Sequence, residues 1–328
     1  MPLRLGILSC AHMHAHGYAH AAREREDIEL VGVWDHTPER ATKFAQRWGI
    51  PDVEQLDALL HRADAVVIAS ENVRHADHIE RAAEAGKHIL CEKPIATTEN
   101  EASRIRAAVE AAGVTFMTSF PCRLSPAYSA MRARVQDGAI GAVLALCGTN
   151  HGTCPFDWFV EPAESGGGAL MDHVVHVADL MRDLIGESPT SVYAQVNSLR
   201  LNLACEDTAF LHLTFPSGVF GTLDGSWSRP SGYKTWGDVR LSATGEKGVI
   251  ETDLFGQALD LFTDEAPTHR EVGYGSSLDR ELLAAFADAV VEGREPPITL
   301  DDGLAASAVA IAAVQSARSG GPASVPAL

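Results

Sequence analysis

Two segments of the sequence carry residue types that transfer protons or stabilise charged oxygens. The first is KHILCEKPIATT, in which Glu92, Lys93 and Pro94 follow an apolar run typical of a buried strand. The second is SGGGALMDHVVHVAD, which places Asp172 and His176 four residues apart on one face of a predicted helix. An ammonium that stabilises an alkoxide, an imidazole that accepts a proton and a carboxylate that orients them form an acid–base site. A solvated helix face is the alternative for the second segment.

A third segment, GILSCAHMHAHGYAHAAR, follows the first apolar run, where a dinucleotide-binding fold carries its glycine-rich turn. The three glycine positions are occupied by Ser9, Ala11 and His14. The first two residues are small, and the helix that follows offers free N–H groups and a positive dipole end. We therefore predict a modified phosphate-binding loop.

Asp35 ends the next apolar run, VGVWD. An acid at this position accepts a hydrogen bond from a ribose 2′-hydroxyl and repels a 2′-phosphate, which favours NAD over NADP. The alternative is that Asp35 caps the helix that begins at Thr37 and Pro38.

The histidines after the first strand have spacings that are able to bind a metal ion. His12 and His14 form an H-x-H pair, while His12, His16 and His20 are four residues apart on a helix face. No converging ligands are evident elsewhere, and the strand–helix alternation of a barrel stops after about Ser119. We therefore predict no metal site and expect His12 and His14 to face the phosphates or the substrate.

Composition disfavours several classes of partner. The 328 residues, 46% of them hydrophobic, are enough for two domains of ordinary size. The formal charge of −18 repels polyanions and so disfavours nucleic acids and anionic membranes. No window reaches the roughly 18 apolar residues of a membrane helix. The six cysteines form no C-x-x-C pair, so we expect reduced thiols in a cytoplasmic protein.

The elements that must position these residues change in type along the chain. Five apolar runs separated by helical patterns predict a doubly wound parallel sheet, with ligands at the carboxyl ends of its strands. From about Pro121, successive strands joined by short turns predict an open, mostly antiparallel sheet accompanied by helices. The prediction is an α/β protein with a Rossmann domain over residues 1–121 and a second α+β domain over residues 122–328.

The order of these segments resembles that of the Gfo/Idh/MocA family, the relatives of glucose–fructose oxidoreductase and inositol dehydrogenase. The likeness covers nearly the whole chain, and its most specific parts are EKP and the D-x-x-x-H pair. It extends over ADAVVIAS, AGKHILCEKP, FPCRLSP, GAIGAV, SGGGALMDHVVHVAD, EDTAFLHLTFPSG, ATGEKGVIETD and DDGLAASAVAIAAVQSA. The resemblance implies that NAD(P) lies across the cleft and that the second domain binds substrate and mediates dimers or tetramers through its open sheet.

The resemblance also implies roles for individual residues. Lys93 matches a catalytic or cofactor-orienting lysine, Asp172 a substrate-holding acid and His176 a proton-transfer histidine. The predicted cofactor site comprises Ser9, Ala11, His12, His14, Asp35, Ser70, Asn72, His75, Glu92, Lys93 and Pro94. The predicted substrate contacts are Arg123, His173 and Trp158. Arg123 matches a family arginine, and His173 stands where the family has an aliphatic residue. Trp158 belongs to a group of four aromatic residues that offer an apolar wall, the others being Phe159, Tyr233 and Trp236.

The predicted reaction is reversible oxidation of a secondary alcohol on a sugar, cyclitol or related polyol, with hydride transfer to the nicotinamide cofactor. His176 takes the hydroxyl proton, Lys93 stabilises the alkoxide, and Asp172 orients the substrate or His176. The alternatives are an NAD-dependent glycosidase or lyase that oxidises its sugar transiently, a metal-dependent hydrolase that uses His12 and His14, and a nucleotide sensor without catalysis. We expect a cytoplasmic homodimer or homotetramer with no nucleic-acid or membrane partner.

Overall fold

The first half of the chain forms a five-stranded parallel sheet. A computed structural model describes residues 1–233, 235, 237–263, 268–273 and 277–328. The strands of the first sheet stand in the order β2-β1-β3-β4-β5. They are β1 (Leu3–Leu8), β2 (Ile28–Trp34), β3 (Ala65–Ile68), β4 (His88–Cys91) and β5 (Phe116–Thr118). The order reverses at β1, so a crevice opens between the carboxyl ends of β1 and β3, where doubly wound sheets bind their ligands.

Helices cover both faces of this sheet, as the buried central strands require. Local sequence explains several of their ends: Pro38 opens α2, and a capping box between Thr98 and Glu101 opens α5. The five helices are α1 (His14–Arg23), α2 (Pro38–Trp48), α3 (Leu56–Arg62), α4 (His75–Glu84) and α5 (Glu99–Ala112). Helix α3 was not predicted, because its seven residues are too few for a clear helical period.

The second half of the chain is built on a seven-stranded sheet in the order β11-β10-β6-β9-β8-β7-β14. Its pairs are antiparallel except that of β6 with β9, which is parallel. The strands are β6 (Val143–Gly152), β7 (Ser191–Asn197), β8 (Thr208–Thr214), β9 (Phe220–Ser226), β10 (Gly237–Gly245), β11 (Gly248–Asp253) and β14 (Ala323–Ser324). This confirms the predicted mostly antiparallel sheet. A separate hairpin, β12 (Ala258–Thr263) and β13 (Thr268–Gly273), was not predicted.

The helix that carries the D-x-x-x-H pair lies close against the inner face of this sheet. At Gly148 of β6, a Cβ atom would lie 2.3 Å from Val177 Cγ1, so only glycine permits this approach. The helices of this half are α6 (Pro126–Gln136), α7 (Pro162–Ser165), α8 (Ala169–Ile185), α9 (Leu278–Glu292) and α10 (Leu300–Ser319). Because α9 packs on α1 and α10 on α8, the end of the chain joins the two halves.

The outer face of the second sheet carries exposed apolar side chains. Residues of β8 alternate between buried and exposed, and Phe210 on the exposed side is 54% accessible. Phe220 and Leu144, on the neighbouring strands β9 and β6, are each 48% accessible. An apolar stripe of this kind is typical of an interaction surface. Among the described helices, none combines the length and apolar character that crossing a membrane requires.

Candidate functional site

Lys93 and Asp172 form a buried ion pair between the two halves of the chain. Lys93 follows β4 and Asp172 lies in the first turn of α8, where the helix dipole favours a negative charge. Lys93 Nζ lies 2.6 Å from Asp172 Oδ1, and both side chains are at most 7% exposed. Trp227 Nε1 donates to Asp172 Oδ2 at 3.0 Å. Burial alone would raise the pKa of Asp172, but the Lys93 ammonium and His173 hold it well below its usual range.

His176 lies one turn after Asp172 on the same helix face. It is 9% exposed, and its ring meets Phe120 edge to face at 6.0 Å between centroids. Its Nδ1 is enclosed without a hydrogen-bond partner in the described part of the chain. Burial, followed by the charge of Lys93, lowers the pKa of His176 well below its ordinary value. The imidazole is therefore neutral near pH 7 and able to accept a proton.

These three side chains line one cavity of about 650 Å³, a size that suits a small ligand. His12 and His14 also reach it, so the loops after β1 and β4 share it with α8. Residues of the second half supply much of the rest of the wall, which is largely apolar: Asn150, Phe159, Val239, Leu254, Phe255 and Leu278. A polar floor beside an apolar wall fits a compound that carries a hydroxyl group on a carbon skeleton.

His12, His14 and Glu92 converge beside this floor. The ligand atoms of the three residues all lie within 4.8 Å of one another. Two imidazoles and one carboxylate are a ligand set that suits a divalent first-row metal ion. The spacing predicted this capacity, but the third ligand, Glu92, becomes apparent only in the tertiary structure.

His12, His14 and Glu92 already have polar contacts with one another and with Tyr18. His14 Nδ1 lies 3.1 Å from Glu92 Oε1, to which Tyr18 donates its hydroxyl at 2.5 Å. The backbone N–H of His14 donates to His12 Nδ1 at 3.2 Å, which leaves the proton of His12 on Nε2, 3.9 Å from Glu92 Oε2. Burial lowers the pKa of His12 to about 3, whereas Glu92, acting against burial, raises that of His14. The carboxylate of Glu92 therefore favours the protonated form of His14.

The modified loop keeps the backbone shape of a glycine turn at its first position. Ser9 has φ of 66°, a left-handed conformation that costs a residue with a side chain roughly 1–2 kcal/mol. Its hydroxyl offsets part of that cost by donating to Asp35 Oδ2 at 2.8 Å. The carbonyl oxygen of Ala11 accepts a hydrogen bond from Trp158 Nε1 at 3.2 Å.

Asp35 lies at the end of β2, as predicted, and its carboxylate is buried. It accepts from Cys10 N at 2.8 Å and from Arg40 through two nitrogens, at 2.8 and 2.9 Å. Arg40 also donates to Glu71 Oε1 at 2.9 Å. The sequence analysis did not single out Glu71, although the segment IASEN places an acid directly after a buried strand.

Four further predicted cofactor residues hold the loops after β3 and β4 in place. His75 lies 2.8 Å through Nδ1 from the Pro94 carbonyl oxygen and 3.2 Å through Nε2 from that of Ser70. Asn72 Nδ2 donates to the Ser165 carbonyl oxygen at 2.9 Å. All of these residues are buried, and Asn72 Oδ1 has no hydrogen-bond partner among the described residues.

The three predicted substrate contacts also lie behind the cavity wall. Arg123 donates to Asp179 Oδ2 and to Asp302 Oδ2, each at 3.0 Å. Trp158 stacks on Phe159 at 3.8 Å between centroids, and His173 Nδ1 lies 2.9 Å from the carbonyl oxygen of Asn150. The cavity is lined instead by Phe159 and Asn150. Trp236, named with the aromatic residues of the predicted wall, lies outside the described residues.

Comparison with known proteins identifies both halves of the chain. Residues 5–120 match the family model described as an oxidoreductase family with an NAD-binding Rossmann fold. Residues 128–251 match the model of the GFO/IDH/MocA C-terminal domain.

Individual relatives match over most of their length. The uncharacterized oxidoreductase YrbE of Bacillus subtilis is 34% identical over 280 residues, covering 81% of this chain and 80% of the relative. Inositol 2-dehydrogenase of Rhizobium meliloti is 30% identical over 343 residues, covering 96% and 97%. The crystal structure of a putative myo-inositol dehydrogenase from Sinorhizobium meliloti superposes with a TM-score of 0.83 at 28% identity and covers 99% and 100% of the two chains.

Proposed function

Because this chain belongs to the Gfo/Idh/MocA family of NAD-dependent oxidoreductases, we propose that it oxidises a secondary alcohol of a sugar, cyclitol or related polyol. The same site reduces the ketone in the reverse direction. One observation carries the proposal: the buried pair of Lys93 and Asp172 shares a cavity with a neutral His176. The polyol class rests on the inositol dehydrogenase among the relatives.

The carboxyl edge of the first sheet fits the cofactor. Buried polar atoms of the segments that follow β2 and β3 have no hydrogen-bond partner among the described residues, and a ligand rich in hydroxyl and amide groups would satisfy them. They are His36 Nδ1, Glu71 Oε2, Asn72 Oδ1 and Arg74 Nε. When bound, NAD accepts the hydride that leaves the alcohol carbon.

The protein's own residues handle the proton and the oxygen. We assign His176 as the base that takes the hydroxyl proton, since its neutral imidazole lines the cavity. Lys93 stabilises the negative charge that grows on the oxygen, and Asp172 holds the ammonium in position. Burial in an apolar surrounding strengthens both interactions.

The loop after β1 is assigned to the cofactor. Ser9, Ala11, His12 and His14 would contact its phosphates, which the positive end of the α1 dipole also favours. We assign no metal ion to His12, His14 and Glu92, because Tyr18 and His14 already contact Glu92 Oε1 and the backbone N–H of His14 already donates to His12 Nδ1.

The remaining assignments concern the whole molecule. We propose that the chain divides near residue 121 into a cofactor domain and a substrate domain.

The apolar stripe that includes Leu144, Phe210 and Phe220 would pair with a second copy and form a homodimer or homotetramer. All six cysteines are free thiols, which suits the reducing cytoplasm. Sedimentation of Phe210→Asp/Phe220→Asp should show a smaller assembly than that of the unaltered protein.

A substrate panel tests the proposed function. The chelator-treated protein is first titrated with NADH and followed by nicotinamide fluorescence. NADH formation is then measured with NAD and each member of a panel that includes myo-inositol, scyllo-inositol, glucose and xylose. NAD reduction by at least one polyol, unchanged after chelation, is expected. Nucleotide-independent activity restored by Zn²⁺ would contradict the proposal and favour a metal hydrolase.

A further inference from the structure

The adenosine end of the crevice holds two buried carboxylates rather than the single one that the sequence analysis assigned. Asp35 follows β2 and Glu71 follows β3, and Arg40 of α2 bonds to both. The two acids differ in how fully their oxygens are occupied. This difference decides which of them is available to a ligand.

Asp35 has no acceptor site left. Its Oδ2 accepts from Ser9 Oγ at 2.8 Å, Cys10 N at 2.8 Å and Arg40 Nε at 2.9 Å. Its Oδ1 accepts from Thr37 N and from Arg40 Nη2, each at 2.8 Å. A carboxylate offers about four lone-pair sites, and six donor atoms already converge on this one when the Cys10 thiol, 3.6 Å from Oδ2, is included. A ribose hydroxyl would have to displace one of them.

Glu71 keeps an oxygen available. Its Oε1 accepts from Arg40 Nη2 at 2.9 Å, whereas Oε2 is buried and has no hydrogen-bond partner among the described residues. Arg74 Nε lies 3.5 Å from Oε2 but is itself without a hydrogen bond in the part of the chain that the structure describes. The residue as a whole is 4% exposed. Arg74 therefore forms an ion pair with Oε2 but no hydrogen bond. Buried acceptors without a hydrogen bond are rare in folded proteins, and this oxygen can accept one from a ligand.

We propose that Glu71, not Asp35, is the carboxylate that binds the ribose of the adenosine half of the cofactor and excludes a 2′-phosphate. This inference rests on the NAD dependence of the proposed function. The ribose hydroxyl donates to Glu71 Oε2. Asp35 acts behind it as a positioning residue that holds the Ser9 turn and fixes Arg40.

The same geometry predicts that Arg40 does not recruit NADP. An arginine at this edge would ordinarily attract a 2′-phosphate, because its guanidinium matches phosphate oxygens. Here Arg40 donates two hydrogen bonds to Asp35 and one to Glu71, so the guanidinium charge is already paired with carboxylates. His36 Nε2 lies 3.6 Å from Glu71 Oε1 and is a further polar neighbour of the same carboxylate. A phosphate placed here would meet Glu71 first.

Binding titrations with NADH and NADPH, followed by nicotinamide fluorescence, test this assignment without relying on turnover. Glu71→Gln should weaken NADH about tenfold, because a hydrogen bond to a charged acceptor is replaced by one to a neutral amide. It should also lower the ratio of the NADPH and NADH dissociation constants at least tenfold. The matched control is Glu164→Gln, which removes the other acid beside Arg74, at 3.4 Å, and should leave both constants unchanged.

Asp35→Asn separates the two carboxylates. If Asp35 only positions the loop, this variant weakens NADH and NADPH by similar factors and leaves their ratio within about twofold. If it changes the ratio tenfold while Glu71→Gln does not, the assignment to Glu71 is overturned.

A ligand series on the unaltered protein guards against a variant that fails to fold. The 2′-deoxyribose analogue of NADH should bind the wild type about tenfold more weakly than NADH does. For Glu71→Gln the difference between the two ligands should be smaller, because a neutral amide accepts a weaker hydrogen bond from the ribose. An unaltered protein that binds the analogue as tightly as NADH would overturn the ribose contact. Failure of the unaltered protein to bind either natural dinucleotide would instead overturn the proposed function itself.

Discussion

The charged groups at the two ends of the cleft differ in how fully they are hydrogen-bonded. We call the end with Lys93, Asp172 and His176 the reacting end, and the end with Asp35, Arg40 and Glu71 the adenosine end. At the reacting end, Lys93 and Asp172 satisfy each other at 2.6 Å, and Trp227 occupies the remaining carboxylate oxygen of Asp172. At the adenosine end, Arg40 joins two acids, yet Glu71 still carries a buried oxygen without a hydrogen bond in the described part of the chain.

The difference separates catalysis from binding. Groups that stabilise a developing charge act best when they are already oriented, because reorganisation during the reaction raises the barrier. Groups that recognise a cofactor need a vacant acceptor that the ligand can fill. We therefore expect changes at the reacting end to lower turnover, and changes at the adenosine end to lower affinity.

The largest effect is expected for Lys93→Met. Removing the ammonium leaves the growing alkoxide without its cation and Asp172 without its partner. We expect kcat to fall about 10³–10⁴-fold, the upper range for loss of a preorganised charge. Steady-state rates with the best polyol of the panel and NADH titrations provide the measurements. Lys87→Met, at the opposite end of β4, is the control, and equal losses in both variants would break the comparison.

His176→Asn should lower kcat by about 10²–10³-fold, because water must then take the hydroxyl proton. The dissociation constant of NADH should change less than threefold. Burial holds the pKa of His176 well below 6.5, so the wild-type rate should stay level as the pH falls from 8 to 6. A rate that instead falls with an apparent pKa near 6.5 would assign the proton to another base. His61→Asn, at an exposed position of α3, is the matched control.

Arg40→Leu is expected to act on stability and affinity rather than on turnover. It leaves the buried carboxylate of Asp35 without its cation and removes one of the two arginines that pair with Glu71, a change that costs about 3 kcal/mol when a buried pair is broken. Urea unfolding followed by circular dichroism measures this loss. Arg47→Leu, on the exposed side of the same helix, should cost less than about 0.5 kcal/mol. An Arg40 variant with wild-type stability but greatly reduced kcat would reverse the roles of the two ends.

The smallest effect concerns two buried histidines, His12 at the reacting end and His78 beside the loop that carries Glu71. Burial lowers the pKa of each to about 3, while the unfolded chain binds a proton near pH 6.5. Between these values the unfolded state holds more protons, so stability falls as the pH decreases through this window. Each histidine should contribute a loss of up to about 2 kcal/mol between pH 6.5 and pH 5.

Urea midpoints at pH 7.5 and 5 for His12→Asn and His78→Asn check this expectation. Each variant should lose less stability on acidification than the wild type, by similar amounts. A reduction seen in only one variant would show that one end of the cleft admits water and the other does not.

Local pattern was enough to predict the two sheets, most helices and the residues of the reacting end. Apolar periodicity and turn residues act over a few positions, so β1 to β5 and α8 could be predicted from short windows. The EKP segment and the D-x-x-x-H pair lie at strand and helix ends that those windows define. The structure accordingly places Lys93, Asp172 and His176 in one cavity.

Only the tertiary structure decided which partners the charged residues meet. Arg123 was expected at the substrate, yet Asp179 and Asp302 surround it, because α8 and α10 pack together there. Glu71 was not predicted as a site residue, and it accepts a hydrogen bond from Arg40, which lies 31 positions away in the sequence. Segments distant in sequence meet only when the sheet closes, so no local pattern records these pairs. The sequence by itself determined the fold and pointed to Lys93, Asp172 and His176, which line one cavity, whereas long-range packing decided which carboxylates accept hydrogen bonds from Arg40.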